Sequence, residues 1–71
     1  MITLIGLKNG VIFEVGISKK SIINDIENNI PVIKIAKLES EIILRRQDGS
    51  KFSIDEVDIY TESIAFLATK D

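Results

Sequence analysis

Two short turn motifs, Asn9-Gly10 and Asp48-Gly49, constrain the fold of this chain more than any other feature of its sequence. Each lies between apolar runs, and both dipeptides tolerate the positive φ angles of a two-residue hairpin turn. We therefore predict a β-hairpin around each. Aligned on their glycines, Leu4 to Val15 resembles Ile43 to Ile54. A duplicated hairpin and two unrelated amphipathic hairpins would both produce this similarity.

The chain is short and rich in isoleucine. It has 71 residues, of which 15 are isoleucine, and it contains no cysteine and no histidine. Isoleucine is β-branched and favours strands, so this bias predicts a strand-rich fold. A chain of this length is expected to form one domain, residues 1–71. Without disulfides or a zinc site, its stability must come from packing.

One segment has the periodicity of an amphipathic helix. Four isoleucines between positions 22 and 30 lie on one face at helical spacing. Ser18 or Ser21 can cap the start, and Pro31 stops the helix because proline disfavours helical backbone in the residue before it. We predict a helix at about residues 19–29. A helix this short is not stable alone, so it must pack on the sheet.

The other apolar segments are predicted strands. Ser53 to Glu56 has capping-box spacing, which predicts a single helical turn before Val57. The final stretch, Asp58 to Thr69, is expected to form one last strand, bent near Glu62. The predicted fold is α+β with the order β-β-α-β-β-β, or the same order with the final stretch added as a sixth strand: a small, strongly curved antiparallel sheet or an SH3-like barrel with one packed helix. The other strands are expected at Ile2 to Leu7, Val11 to Ile17, Val32 to Leu38, Ile42 to Arg46 and Ser50 to Ile54.

The charge and the hydropathy pattern exclude several classes of protein. A net charge of −2 argues against a general nucleic-acid binder. No apolar run approaches the ~18–20 residues that a membrane-spanning helix needs. Met1 to Leu7 is apolar but too short for a signal peptide, and it lacks the basic n-region. We expect a cytoplasmic protein that does not interact with membranes.

The sequence lacks the residues of common catalytic sites. Without cysteine and histidine there is no Cys-His or Ser-His-Asp system, and the four glycines form no phosphate-binding loop. Asp55, Glu56, Asp58 and Glu62 could act as acid and base or bind a divalent cation through oxygen; the alternative is that they are solvated beside a turn. We expect a protein that is not an enzyme and has no cofactor or metal.

Two features are candidates for partner binding. Arg45 and Arg46 lie across the second hairpin from Lys51, and only one arginine can share a face with Lys51 because strand neighbours alternate. Such a pair can bind a phosphate or a carboxylate; alternatively, the charges keep an edge strand soluble. Tyr60 lies among acids, where an aromatic ring would anchor a protein rather than stack on nucleic-acid bases.

The first strand also predicts self-association. Ile2, Leu4, Ile5 and Leu7 put apolar groups on both faces of the strand. One short helix can cover only one face of a small sheet, so the other face would be left exposed. We therefore expect a homo-oligomer, most simply a dimer, with these four residues at the contact.

Residues 1–15, MITLIGLKNGVIFEV, combine an apolar strand with a Lys-Asn-Gly turn. In this segment and in its composition, the chain resembles the short accessory proteins of phages from low-GC bacteria. The resemblance implies a small non-enzymatic protein that binds and sequesters or inhibits a host protein. The basic residues leave an alternative open, a binder of nucleic acid or of a small phosphorylated ligand through Arg45, Arg46 and Lys51.

Overall fold

The chain forms seven strands, one α-helix and one 3-10 turn, in a computed structural model that describes all 71 residues. The α+β class predicted from the sequence is confirmed, but the observed order is β-β-α-β-β-β-β-β. The elements are β1 (Ile2–Leu7), β2 (Ile12–Val15), α1 (Lys19–Glu27), β3 (Val32–Ala36), β4 (Ile42–Arg45), β5 (Lys51–Ile54), β6 (Glu56–Tyr60), the 3-10 turn (Thr61–Ser63) and β7 (Ile64–Lys70).

The strands form two antiparallel sheets rather than a closed barrel. The larger sheet has the order β5-β4-β2-β1-β7, and the smaller one pairs β3 with β6. β5 and β7 are the free edges of the larger sheet, so the SH3-like alternative is not observed. In the smaller sheet, β3 and β6 pair only with each other. The pairing runs from Val32 opposite Tyr60 to Ala36 opposite Glu56.

The C-terminal half differs from the prediction at two points. No helical turn forms before Val57: Ile54 is the last residue of β5, and a bend at Asp55 leads directly into β6. Ile54 packs against the core, which keeps the backbone extended up to the bend. The expected last strand is divided by the 3-10 turn, which includes the predicted bend near Glu62, and this turn moves the chain from the smaller sheet to the larger one.

Both predicted hairpins form, but each turns through three residues instead of two. In the first, the Gly10 N–H donates to the Leu7 carbonyl at 3.0 Å, and the Leu7 N–H donates to the Val11 carbonyl at 2.8 Å. The glycine of each turn has a positive φ angle, +91° at Gly10 and +89° at Gly49. This is the usual three-residue hairpin, a tight turn followed by a left-handed glycine.

Fewer isoleucines of the helix contact the core than their spacing predicted. Ser18 caps its start, because the Ser18 hydroxyl oxygen accepts a hydrogen bond from the Ser21 N–H at 3.2 Å. Of the four isoleucines, Ile22 is buried and Ile26 packs against the core, whereas Ile23 is 37% exposed. The chain leaves the helix through Asn29, which has a φ of 59°.

A single apolar core lies between the five-stranded sheet on one side and the helix with the two-stranded sheet on the other. Burying such side chains stabilises the fold by about 1.5–3 kcal/mol each. Because the helix and the smaller sheet both pack on the same side, the opposite side of the larger sheet has no covering layer. The eight core residues are Ile5, Phe13, Val15, Ile22, Ile33, Ile35, Ile42 and Ile59.

Candidate functional site

The uncovered side of the five-stranded sheet, which we call the open face, is the first candidate surface. Side chains alternate along each strand, so the residues between the core positions all point to this side. None of its apolar residues belongs to the core cluster or packs against it. The open face comprises Ile2, Leu4, Gly6, Ile12, Glu14, Ile43, Arg45, Lys51, Ser53, Phe66, Ala68 and Lys70.

Glu14, on the central strand of this sheet, is the buried charge of the open face. Its side chain is only 8% exposed, and three cations approach it: Arg45 and Lys51 lie 3.7 and 3.8 Å from Oε2, and Lys70 lies 3.7 Å from Oε1. Lys51 and Lys70 belong to the two opposite edge strands, so each side chain crosses a neighbouring strand to reach Glu14. Both lysine side chains are about half-exposed, as expected for stems that lie along a surface and keep their ammonium groups in water.

Glu14, Arg45, Lys51 and Lys70 form what we call the Glu14 cluster. One carboxylate oxygen of this cluster can still accept a hydrogen bond. Oε2 is buried and accepts no hydrogen bond, since its two cations remain beyond hydrogen-bonding distance. Three cations against one carboxylate also leave the cluster with a local charge of +2. The cluster therefore holds basic groups in place on the open face without neutralising them.

The three basic residues predicted as a binding site, Arg45, Arg46 and Lys51, do not all lie on one surface. Arg45 and Lys51 are directly opposite each other across β4 and β5, and both face Glu14. Arg46 lies beyond the end of β4, with its guanidinium 5.2 Å from the centre of the Phe52 ring. Glu14 was not among the predicted site residues; its available signal was a lone acid among the apolar residues of a predicted strand.

The four residues expected at an oligomer contact do not lie on one face of the sheet. Ile2 and Leu4 lie on the open face and are half-buried. Ile5 is 0% exposed in the core of its own chain, and Leu7 packs against that core. Ile5 is therefore not available to another chain, and Leu7 lies on the core side of the strand, so an interface on the open face can use only Ile2 and Leu4 of these four.

An aromatic ring lies flat on one side of the open face. Gly6 and Phe66 are opposite each other across β1 and β7. A Cβ atom on Gly6 would lie 2.0 Å from Phe66 Cε2, so the ring occupies the space of the missing side chain. Phe66 is nevertheless 47% exposed, so it adds apolar area to this surface.

The second candidate surface, which we call the tyrosine surface, is the outer side of the two-stranded sheet. Its exposed side chains are Lys34, Glu56, Asp58 and Tyr60, and the half-buried Val32 and Ala36 lie on the same side. Tyr60 is 59% exposed, and its neighbours along β6 on this side are the two carboxylates. With one lysine against two carboxylates, this surface is net acidic.

The acidic residues considered as a cation site do not converge. Asp55 pairs with Lys37 at 3.8 Å, with both side chains exposed to solvent. Glu56 and Asp58 lie on the tyrosine surface, and Glu62 belongs to the 3-10 turn. No group of three or more acidic side chains comes close enough together to hold a metal ion.

Comparisons with protein-family models, with curated proteins and with solved structures find no significant match for this chain. The only α-helix has nine residues, and the structure contains no helix with the length and apolar character of a membrane span.

Proposed function

We propose that this chain is a non-enzymatic binding protein whose tyrosine surface docks on a basic patch of a protein partner. In view of the resemblance of residues 1–15 to phage accessory proteins, the partner is a host protein in the bacterial cytoplasm, which the chain sequesters or inhibits. The observation that carries the proposal is the exposed Tyr60 ring beside the Glu56 and Asp58 carboxylates.

An exposed tyrosine is well suited to anchor a protein interface. It buries a large apolar ring on binding, loses little conformational entropy, and offers a hydroxyl for a hydrogen bond. The Tyr60 hydroxyl makes no hydrogen bond within the chain, and the ring stands on a β-strand, which holds it in place. Glu56 and Asp58 steer a positively charged partner toward the ring and repel nucleic-acid phosphates.

The alternative, a binder of nucleic acid or a small phosphorylated ligand, has weaker support. It needs Arg45, Arg46 and Lys51 on one surface, whereas Arg46 stacks on Phe52 away from the other two. Arg45 and Lys51 also share the Glu14 carboxylate, which a bound phosphate would have to displace or tolerate. The absence of cysteine and histidine argues against nucleophilic catalysis but leaves binding possible.

An affinity-capture experiment tests the proposal. The immobilised chain is incubated with lysate of a low-GC bacterium, with and without nuclease, and captured proteins are identified by mass spectrometry. We expect a partner that nuclease treatment does not remove, that Tyr60→Ala loses and that Asp58→Asn weakens. Phe52→Ala is the matched control, because Phe52 is a similarly exposed aromatic residue on the other sheet.

The opposite pattern favours the alternative. If nuclease abolishes capture, or if Arg45→Ala and Lys51→Ala lose the partner while Tyr60→Ala retains it, the tyrosine surface is not the docking site. Phosphate contacts would also weaken steeply as the salt concentration rises, whereas a tyrosine-anchored protein interface depends less on salt.

A further inference from the structure

We propose that the open face binds the open face of a second copy of this chain, in a two-fold dimer that stacks the two five-stranded sheets. This proposal is independent of the tyrosine surface, which lies on the other side of the molecule. All seven strands and the helix have fixed places in the fold, and none of them covers the open face. A layer from outside the chain is therefore the available way to cover Ile2, Leu4, Ile12 and Ile43.

The charges along β4 favour a second copy over an unrelated partner. Glu41, immediately before β4, borders the open face in a groove that it shares with Ile2 and Ile43. Ile43 and Arg45 follow at alternate positions on the same face, giving the pattern acid, apolar, base. A two-fold axis that crosses the strands at Ile43 stacks β4 on its own copy in the opposite direction.

In that arrangement, Glu41 of each chain meets Arg45 of the other, and the two Ile43 side chains meet at the axis. A two-fold contact must match a surface with itself in this way. Glu39 lines the same groove at the acidic end, where Lys70 also lies opposite Ile2 on the edge strand, and Lys51 lies opposite Arg45 at the basic end. Charge complementarity of this kind fixes the register and orientation of an interface.

The Glu14 cluster restrains the side chains at the basic end before a second copy binds. Arg45 has a side chain 30% exposed and Lys51 one 55% exposed, and both are drawn toward Glu14. Side chains that are already restrained lose less entropy when a partner binds.

The size of the open face suits a dimer. The molecule measures 32 × 26 × 22 Å, so one whole side offers about 600 to 800 Å², close to the ~800 Å² per partner of a standard interface. The Phe66 ring lies flat over Gly6 instead of projecting, so it does not hold the two sheets apart. Packed sheets lie about 10 Å apart, which these side chains can fill.

Light scattering at micromolar concentrations tests the dimer with matched variants. We expect a mass about twice 7.9 kDa for the natural chain. Ile43→Lys, which puts two ammonium groups together at the axis, and Glu41→Arg, which faces Arg45 of the other copy, should raise the dissociation constant by about tenfold or more. Their controls, Ile23→Lys and Glu27→Arg, change exposed helix residues and should leave the mass unchanged.

Circular dichroism keeps the test independent of folding. Glu41 is exposed, so Glu41→Arg decides the question even if Ile43→Lys fails to fold. A natural chain of monomer mass overturns the proposal. So does a dimer that folded Ile43→Lys and Glu41→Arg leave intact, because the contact would then lie on another surface.

Discussion

The side-chain amide of Gln47 donates a hydrogen bond of 3.0 Å to the backbone carbonyl of Asn9, and so joins the tips of the two hairpins. The two turns are also built alike. Asn9 Oδ1 accepts the N–H of the residue two positions later at 3.0 Å, and Asp48 Oδ1 does the same at 2.9 Å. Pairing of β2 with β4 aligns the hairpins side by side, so the tips meet.

A comparison of Gly10→Ala with Gly49→Ala measures how much the hydrogen bond from Gln47 to Asn9 contributes to stability. Both glycines have positive φ angles, so alanine at either should destabilise the chain by about 1–2 kcal/mol. A Cβ on Gly10 would also lie 1.9 Å from Gln47 Nε2, whereas Gly49 has open space around it. We expect Gly10→Ala to cost about 1 kcal/mol more than Gly49→Ala in urea unfolding, since the Gln47 hydrogen bond is lost. Equal losses would contradict this role of Gln47.

Asp48 should make the second hairpin sensitive to acid. The Ser50 hydroxyl donates to Asp48 Oδ1 at 2.6 Å, and this bond, with that from the Ser50 N–H and the charge of Arg46, lowers the pKa of Asp48 below its ordinary value of 3.8. A carboxyl with a lowered folded-state pKa stabilises the fold above its unfolded pKa, and this contribution is lost as the pH falls through the folded value.

The stability difference between the natural chain and Asp48→Asn should therefore be constant above about pH 5 and shrink below pH 3.8. Urea unfolding at a series of pH values measures it. Glu56→Gln, which alters an exposed acid without an ion pair, serves as the control. A difference that grows as the pH falls would show that Asp48 has the opposite effect.

Ile5 and Ile43 should respond differently to the same substitution. Ile5 is fully buried in the core, so Ile5→Lys places an unpaired charge there and should unfold the chain, since native domains are typically stable by only about 5–15 kcal/mol. Ile43 lies on the open face, so Ile43→Lys should keep the native circular dichroism spectrum. If Ile5→Lys folds as a monomer, the assignment of Ile5 to the core is wrong.

Glu14 should contribute to stability through its three cations. Removing one partner of a fully buried ion pair costs about 3–5 kcal/mol, but these cations are 30–55% exposed and screened by water. We therefore expect Glu14→Gln to lose about 1–2 kcal/mol in urea unfolding at low salt, and less at high salt. Glu39→Gln, an exposed acid without an ion pair, should change stability by less than about 0.5 kcal/mol. Equal effects would contradict the role of the cluster.

The hairpins and the helix could be predicted because their signals are local. Asn9-Gly10 and Asp48-Gly49 lie between the strands that they connect, and the isoleucine spacing and Ser18 marked the helix. The loop length was wrong because the dipeptides suit a two-residue turn equally well; only the hydrogen bond from Gly10 to Leu7 distinguishes the two.

The arrangement of the strands depends on contacts between distant residues, which no local pattern reveals. The pairing of β3 with β6, and the position of β7 beside β1, determine that two sheets form instead of a barrel. The same pairings bring Lys51 and Lys70 to Glu14 from opposite edges. Asp58 and Tyr60 were expected on one strand, but no local pattern revealed that this strand pairs with β3 in a sheet of its own.

Crosslinking at Ile43 tests the two-fold stacking of open faces most directly. The chain contains no cysteine, so Ile43→Cys provides a single thiol at the proposed axis, and Ile23→Cys provides one on the exposed side of the helix. Stacked sheets lie about 10 Å apart, a distance that a short bismaleimide spans. The account predicts that dilute Ile43→Cys is converted to a covalent dimer while Ile23→Cys remains monomeric on a denaturing gel. If Ile43→Cys crosslinks no more than Ile23→Cys, the open faces do not stack as proposed.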